Sequence, residues 1–167
     1  TIFQTDTYYH QIRVDRRDSY AGDRITTIYM DQAAEGAQAE NSDELVFTYT
    51  PDSNGDLMVS MAGSDYDTVA YIRTSCTDAS SELDCNDDAE GLTSFAMALN
   101  GATSGEAVFI FADSYSADQA GTLNLGVWVR PIVSDGEACD PEGVTNRCED
   151  GAYCDDDNTC TMGTAPV

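Results

Sequence analysis

The chain has no lysine, one histidine, one tryptophan and no long apolar run. Its seven basic residues are all arginine, set against 31 acidic residues, for a net charge of -24. So little basic surface excludes nucleic acid and anionic membranes as partners, because both need clustered cations. No stretch approaches the roughly 18 apolar residues of a membrane-spanning helix. The lone histidine, His10, lies far from every other polar constellation, and Gly-x-Ser-x-Gly, His-Glu-x-x-His and Walker patterns are all missing. The sequence therefore gives no catalytic residue, and the chain is not expected to be an enzyme. With no Cys-x-x-Cys pair and His10 remote, zinc is disfavoured. Amphipathic helical spacing is nearly absent too. The chain opens on Thr1 without a signal peptide, as expected of a mature or excised product.

What is present is period-two alternation. Glu44–Thr50 puts Leu45, Phe47 and Tyr49 on one face, and Asp56–Ala62 does the same with Leu57, Val59 and Met61. Thr93–Leu99 aligns Phe95, Met97 and Leu99, while Thr122–Arg130 aligns Leu123, Leu125, Val127 and Val129. Asp67–Arg73 and Glu106–Ala112 are denser, as central strands are. Thr7–Val14 and Ile25–Met30 read as two earlier strands. Turn residues such as Pro51–Gly55 punctuate these runs. About eight antiparallel strands then predict an all-β, jelly-roll-like sandwich, with Pro131 ending the last strand.

Residues 135–160 are different material, with four cysteines and few aliphatic side chains. Such a segment cannot build its own core and needs disulfides. The expected organisation is an N-terminal region at 1–43, a sandwich core at 44–131 and a Cys-rich module with tail at 132–167. The even cysteine count suits an oxidising, extracellular compartment. Cys76 and Cys85 bracket a polar loop and are expected to pair. The four tail cysteines allow three connectivities. The preferred one is Cys139–Cys154 with Cys148–Cys160, an interlaced pattern that compacts a short chain.

Ser42–Pro51 (SDELVFTYTP), Ser64–Cys76 (SDYDTVAYIRTSC), Glu82–Asp88 (ELDCNDD) and Glu106–Val127 occur in an order that resembles the bacterial pre-peptidase C-terminal domain family. The likeness is to members with a Cys–Cys hairpin, found in secreted proteins of myxobacteria and their relatives. It covers about half the chain. The four-cysteine tail resembles short Cys-rich modules of the same proteins. The resemblance implies a β-sandwich that often binds calcium and accompanies a secreted enzyme or surface protein without activity of its own.

Asp65, Asp67, Asn86, Asp87, Asp88 and Asp113 form the acidic constellation expected to hold calcium, which takes roughly six to eight oxygens from flexible loops. Asp155, Asp156 and Asp157 are expected to stay solvated. Ile2, Phe3, Tyr8, Tyr9, Ile12 and Val14 make the N-terminal segment a candidate donor strand, completing a sheet in the next copy head to tail. The expected role is a calcium-stabilised subunit of a bacterial surface fibre. The alternative is a carbohydrate-binding or adhesion domain, or the accessory domain of a secreted hydrolase. Trp128 with Tyr115 or Tyr66 would then stack on a cell-surface glycan.

Overall fold

The computed structural model describes residues 11–15, 24–29, 45–89, 91–116, 119 and 121–164. His10 and the donor-strand residues Ile2, Phe3, Tyr8 and Tyr9 lie outside this set.

The chain folds as an all-β sandwich. One sheet contains β1 (Gln11–Asp15), β9 (Thr122–Val133), β4 (Gly55–Ser60) and β7 (Phe95–Ala102), in that order. The other orders β2 (Arg24–Tyr29), β3 (Leu45–Thr50), β8 (Val108–Ser114), β5 (Thr68–Arg73) and β6 (Glu82–Asn86). Most neighbours are antiparallel; β1 lies parallel to β9, with Ile12 opposite Leu123 and Val14 opposite Leu125.

The alternation read from the sequence fills the space between the sheets. Phe47, Tyr49, Ala70, Ile72, Val108 and Ile110 from one sheet meet Leu57, Val59, Leu123, Leu125, Val127 and Val129 from the other, in one buried cluster. Fully burying one such side chain contributes about 1.5–3 kcal/mol, so the layer is the main source of stability.

Three expectations about the strands are corrected. In β7 the inward residues are Ala96, Ala98 and Ala102, whereas Phe95 and Met97 face outward and Leu99 is exposed. Small inner residues leave room for Tyr49, Phe47 and Met61 in the same cluster, and volume outranks hydrophobicity there. β9 runs through Pro131 to Val133. Its partner β4 ends where Gly55 meets Pro131, and the last two residues pair instead with β10 (Arg147–Cys148), so the missing N–H of proline breaks no central ladder. The third correction concerns β6, whose first three residues fall in the polar loop expected between Cys76 and Cys85. It is an edge strand, polar on both faces, with Leu83 left exposed.

β6 has a specific task. The outward N–H groups of Phe95 and Met97 on edge strand β7 donate to Asn86 Oδ1 at 2.9 Å and Asp84 Oδ2 at 2.6 Å. Side chains of one sheet thus cap the free edge of the other and blunt it against further pairing.

The Cys-rich module adds β11 (Ala152–Cys154) and β12 (Cys160–Met162), an antiparallel pair. Cys139–Cys154 and Cys148–Cys160 are both bonded, the interlaced pattern expected. Cys76 and Cys85, by contrast, remain thiols. Cys85 lies opposite Tyr71, and the ladder then shifts register between Ile72 and Arg73. Cys76 sits beyond the strand end and packs on the Val46, Val69, Tyr71 and Phe111 cluster. Burial, a hydrogen bond to Glu82 and the charges of Glu82 and Asp84 raise the Cys85 thiol, which lowers its thiolate fraction. Asp155 is not simply solvated either. It accepts from the N–H groups of Asp157 and Thr159 and from Thr161 Oγ1, and these bonds lower its pKa.

One buried carboxylate joins the module to the sandwich. Asp56, fully buried on β4, accepts from Arg130 at 2.6 and 2.9 Å and from Arg147 at 2.7 and 3.0 Å. The Asn100 N–H adds a bond at 2.9 Å. Arg130 Nη1 continues to the carbonyl of Gly143, and Arg147 Nη2 to Asn100 Oδ1. Burial alone would raise the Asp56 pKa, but the bonds from Arg147, Asn100 and Arg130 hold it down at about 2. Its stabilising contribution is therefore present above the unfolded value of 3.8 and is lost as pH falls through about 2. Removing one partner of a buried ion pair leaves uncompensated charge. We expect Asp56→Asn to lower unfolding free energy in urea by about 3–5 kcal/mol, with the loss far smaller when both proteins are compared at pH 2.

Candidate metal centre

The acidic residues at one end of the sandwich are placed by a side-chain clasp. Asp67 immediately precedes β5, and Asp87 and Asp88 immediately follow β6. The return from β6 to β7 folds back onto β5: Thr68 N–H donates to the Leu92 carbonyl at 3.0 Å, and Ser94 N–H donates to Thr68 Oγ1 at 2.9 Å. Ser94 Oγ bonds the Thr68 carbonyl and, at 2.8 Å, the Asp87 carbonyl. Thr68 and Ser94 are both buried. Small hydroxyl residues are required here because each must fit under the strand end while satisfying buried backbone groups.

The clasp brings Asp67, Asp87 and Asp88 together, with one carboxylate oxygen from each lying within 4.8 Å of the others. Asp67 Oδ1 and Asp87 Oδ1 are buried and accept no hydrogen bond. Burial, then the charges of Asp88 and Asp67, raise the Asp87 pKa. Two shielded acceptors without donors, in a group of three carboxylates, make an arrangement that a hard cation relieves. A second group of potential ligands, Cys139, Cys148 and Cys160, is committed to disulfides.

The other three expected ligands border this centre, each with an oxygen already engaged. Asp65 Oδ1 accepts the Thr122 N–H at 2.5 Å and fixes the start of β9. A Cβ at Gly121 would overlap that same oxygen, so glycine is needed for the close approach. Asn86 Oδ1 holds the Phe95 N–H, and Asp113 Oδ1 the N–H of Ser114. Tyr66 packs against the core, and burial together with the charges of Asp113 and Asp65 raises its pKa. Tyr115 is exposed, and its N–H donates to the Asp67 carbonyl at 3.1 Å. Sequence reading missed Thr68 and Ser94, the residues that organise the centre. Ser and Thr are abundant in turns, and nothing in their spacing marks a contact 26 residues apart.

Comparison with protein-family models, curated proteins and solved structures finds no match. Among the described residues, no helix is long and apolar enough to cross a membrane. The two disulfides are consistent with an oxidising compartment.

A carboxylate whose pKa is raised by folding opposes folding once ionised, and the penalty is relieved as pH falls through its folded value. In divalent-free buffer at neutral pH, Asp87→Asn is therefore expected to raise the melting temperature, and the gain should vanish at acidic pH. Thr68→Val, which removes the clasp but keeps the shape, should lower stability by about 1–3 kcal/mol in urea unfolding.

Proposed function

We propose that this chain is a non-catalytic, secreted structural module whose sandwich is locked at one end by calcium and whose copies join by exchanging the N-terminal strand. The observation that carries the calcium reading is the set of Asp67, Asp87 and Asp88, with buried and undonated oxygens on the first two. Three carboxylates supply up to six oxygens on two loops, and calcium tolerates the irregular geometry that loops provide. The cation would neutralise the charge gathered at the Thr68–Ser94 clasp and tie the start of β5 to the end of β6. The resemblance to the pre-peptidase C-terminal family favours the same ion.

Assembly by strand exchange is supported by the edges of the first sheet. β7 at one edge is capped by Asp84 and Asn86, whereas β1 at the other is a terminal strand added in parallel to β9. A strand at that position makes the same ladder whether it comes from its own chain or from another copy. Ile12 and Val14 are the described members of the expected donor set, in register with Leu123 and Leu125. The alternative of a glycan-binding or accessory domain draws on one feature: half-buried Trp128 lies 6.1 Å from Phe95, centroid to centroid, on the outer face of the first sheet.

Millimolar calcium should raise the melting temperature by several degrees and a chelator should reverse it, whereas Asp67→Asn with Asp87→Asn should remove the response. A chelator-independent melting temperature would eliminate the calcium reading. Deleting residues 1–15 should leave dispersed monomers in sedimentation velocity under conditions where the full chain forms higher species; unchanged assembly would rule out donation of this strand.

A further inference from the structure

The two guanidinium groups that neutralise Asp56 come from different parts of the fold. Arg130 belongs to β9 and so to the sandwich, where it bonds Asp56 at 2.6 and 2.9 Å. Arg147 comes from the Cys-rich module and meets the carboxylate with two bonds, at 2.7 and 3.0 Å. The module also reaches Arg130, through the Gly143 carbonyl at 2.7 Å. Gly143 and Arg147 both lie in the loop that the Cys139–Cys154 bond closes, and Arg147 directly precedes Cys148, which is bonded to Cys160. The sulfur bridges are themselves the centre of this module. Its buried cluster is Cys139, Cys148 and Cys160, with Val133, Ala152 and Cys154 packed against them. The ladder from β10 to β9 adds two residue pairs.

A segment with so small an apolar core loses its fold when its cross-links open. Arg147 then leaves Asp56, and the fully buried carboxylate keeps Arg130 as its one arginine. A buried charge that loses a partner destabilises the elements that carry it, here β4 and β9, the middle pair of the first sheet. We infer that the Cys-rich module is a redox latch: its disulfides, acting through Arg147 and Asp56, set how tightly the sandwich is folded. The opening step is thiol–disulfide exchange with a dithiol. One thiolate of the reagent attacks a cystine sulfur and forms a mixed disulfide, and its second thiol displaces that sulfur. The reagent ends as a disulfide, and the two protein sulfurs end as thiols carrying the protons that the reagent gave up. Half-buried Cys154 offers the entry point, whereas Cys139, Cys148 and Cys160 are buried. The sandwich of a reduced chain is loosened, and oxidation completes it. The inference depends neither on calcium nor on strand exchange.

Urea unfolding followed by the fluorescence of Trp128 reads the sandwich directly, because this sole tryptophan lies on β9 opposite Met58 of β4. Adding dithiothreitol to the wild-type chain is expected to lower its folded-to-unfolded ratio by roughly 100-fold or more, the scale on which a buried ion pair loses a partner. Arg147→Met should show most of that loss while still oxidised, and dithiothreitol should then lower its ratio by less than about 10-fold more, since the two changes break the same contact. A wild-type sandwich indifferent to the reductant, or an Arg147→Met chain that loses as much to it as the wild type does, would overturn the inference. Should Arg147→Met fail to fold, hydrogen exchange on the wild-type chain decides. Reduction should strip protection from the Arg147 Nε–H and, with it, lower the protection of the β4 and β9 amides. If those amides stay as protected after reduction as before, the latch does not exist.

Discussion

The apolar layer between the two sheets is the constraint from which the rest follows. Its inner positions, from Phe47 to Val129, admit no unpaired polar group, so the abundant acids are forced to the ends and outer faces. Where a carboxylate is nonetheless buried, as at Asp56, two arginines and a backbone N–H surround it. That ion hub does more than compensate a charge. It couples β4, the end of β9 and the Cys-rich module, so a segment too poor in aliphatic residues to fold alone gains a fixed seat on the sandwich.

At the opposite end of the layer, the same exclusion of polar groups concentrates Asp65, Asp67, Asp87, Asp88 and Asp113 around the strand ends. Backbone donors absorb an oxygen of Asp65 and of Asp113, and the remaining cluster sits on the Thr68–Ser94 clasp. Charge of one sign, held together by short hydrogen bonds, is a design that is costly without a cation and rigid with one. The arginines follow a comparable logic. The three in the described sandwich and module are buried or half-buried, and each meets an acid, a ring face or both.

Most of the fold was legible because period two was strong in β3, β4 and β9, where large residues occupy the inner face. It misled in β7, where alanines point inward and Phe95, Met97 and Leu99 point out. A pattern of large hydrophobics locates a face but cannot say which face is crowded. β6 was invisible for a related reason: an edge strand at the sandwich corner buries almost nothing and keeps a polar sequence. Tail disulfide connectivity could be chosen on compactness, whereas the spacing of Cys76 and Cys85 across a polar loop suggests a bond that the two do not make. Of the acidic site, Asp67, Asp87 and Asp88 converge, and the hydroxyls that bring them together left no sequence signal.

The central claim is that these three carboxylates share a calcium ion. A crystal structure grown in calcium, with anomalous data, tests it most directly. The account predicts a calcium peak within about 2.3–2.6 Å of oxygens from Asp67, Asp87 and Asp88. Density showing no ion there, with the Asp67 and Asp87 oxygens hydrogen-bonded to water, would contradict it.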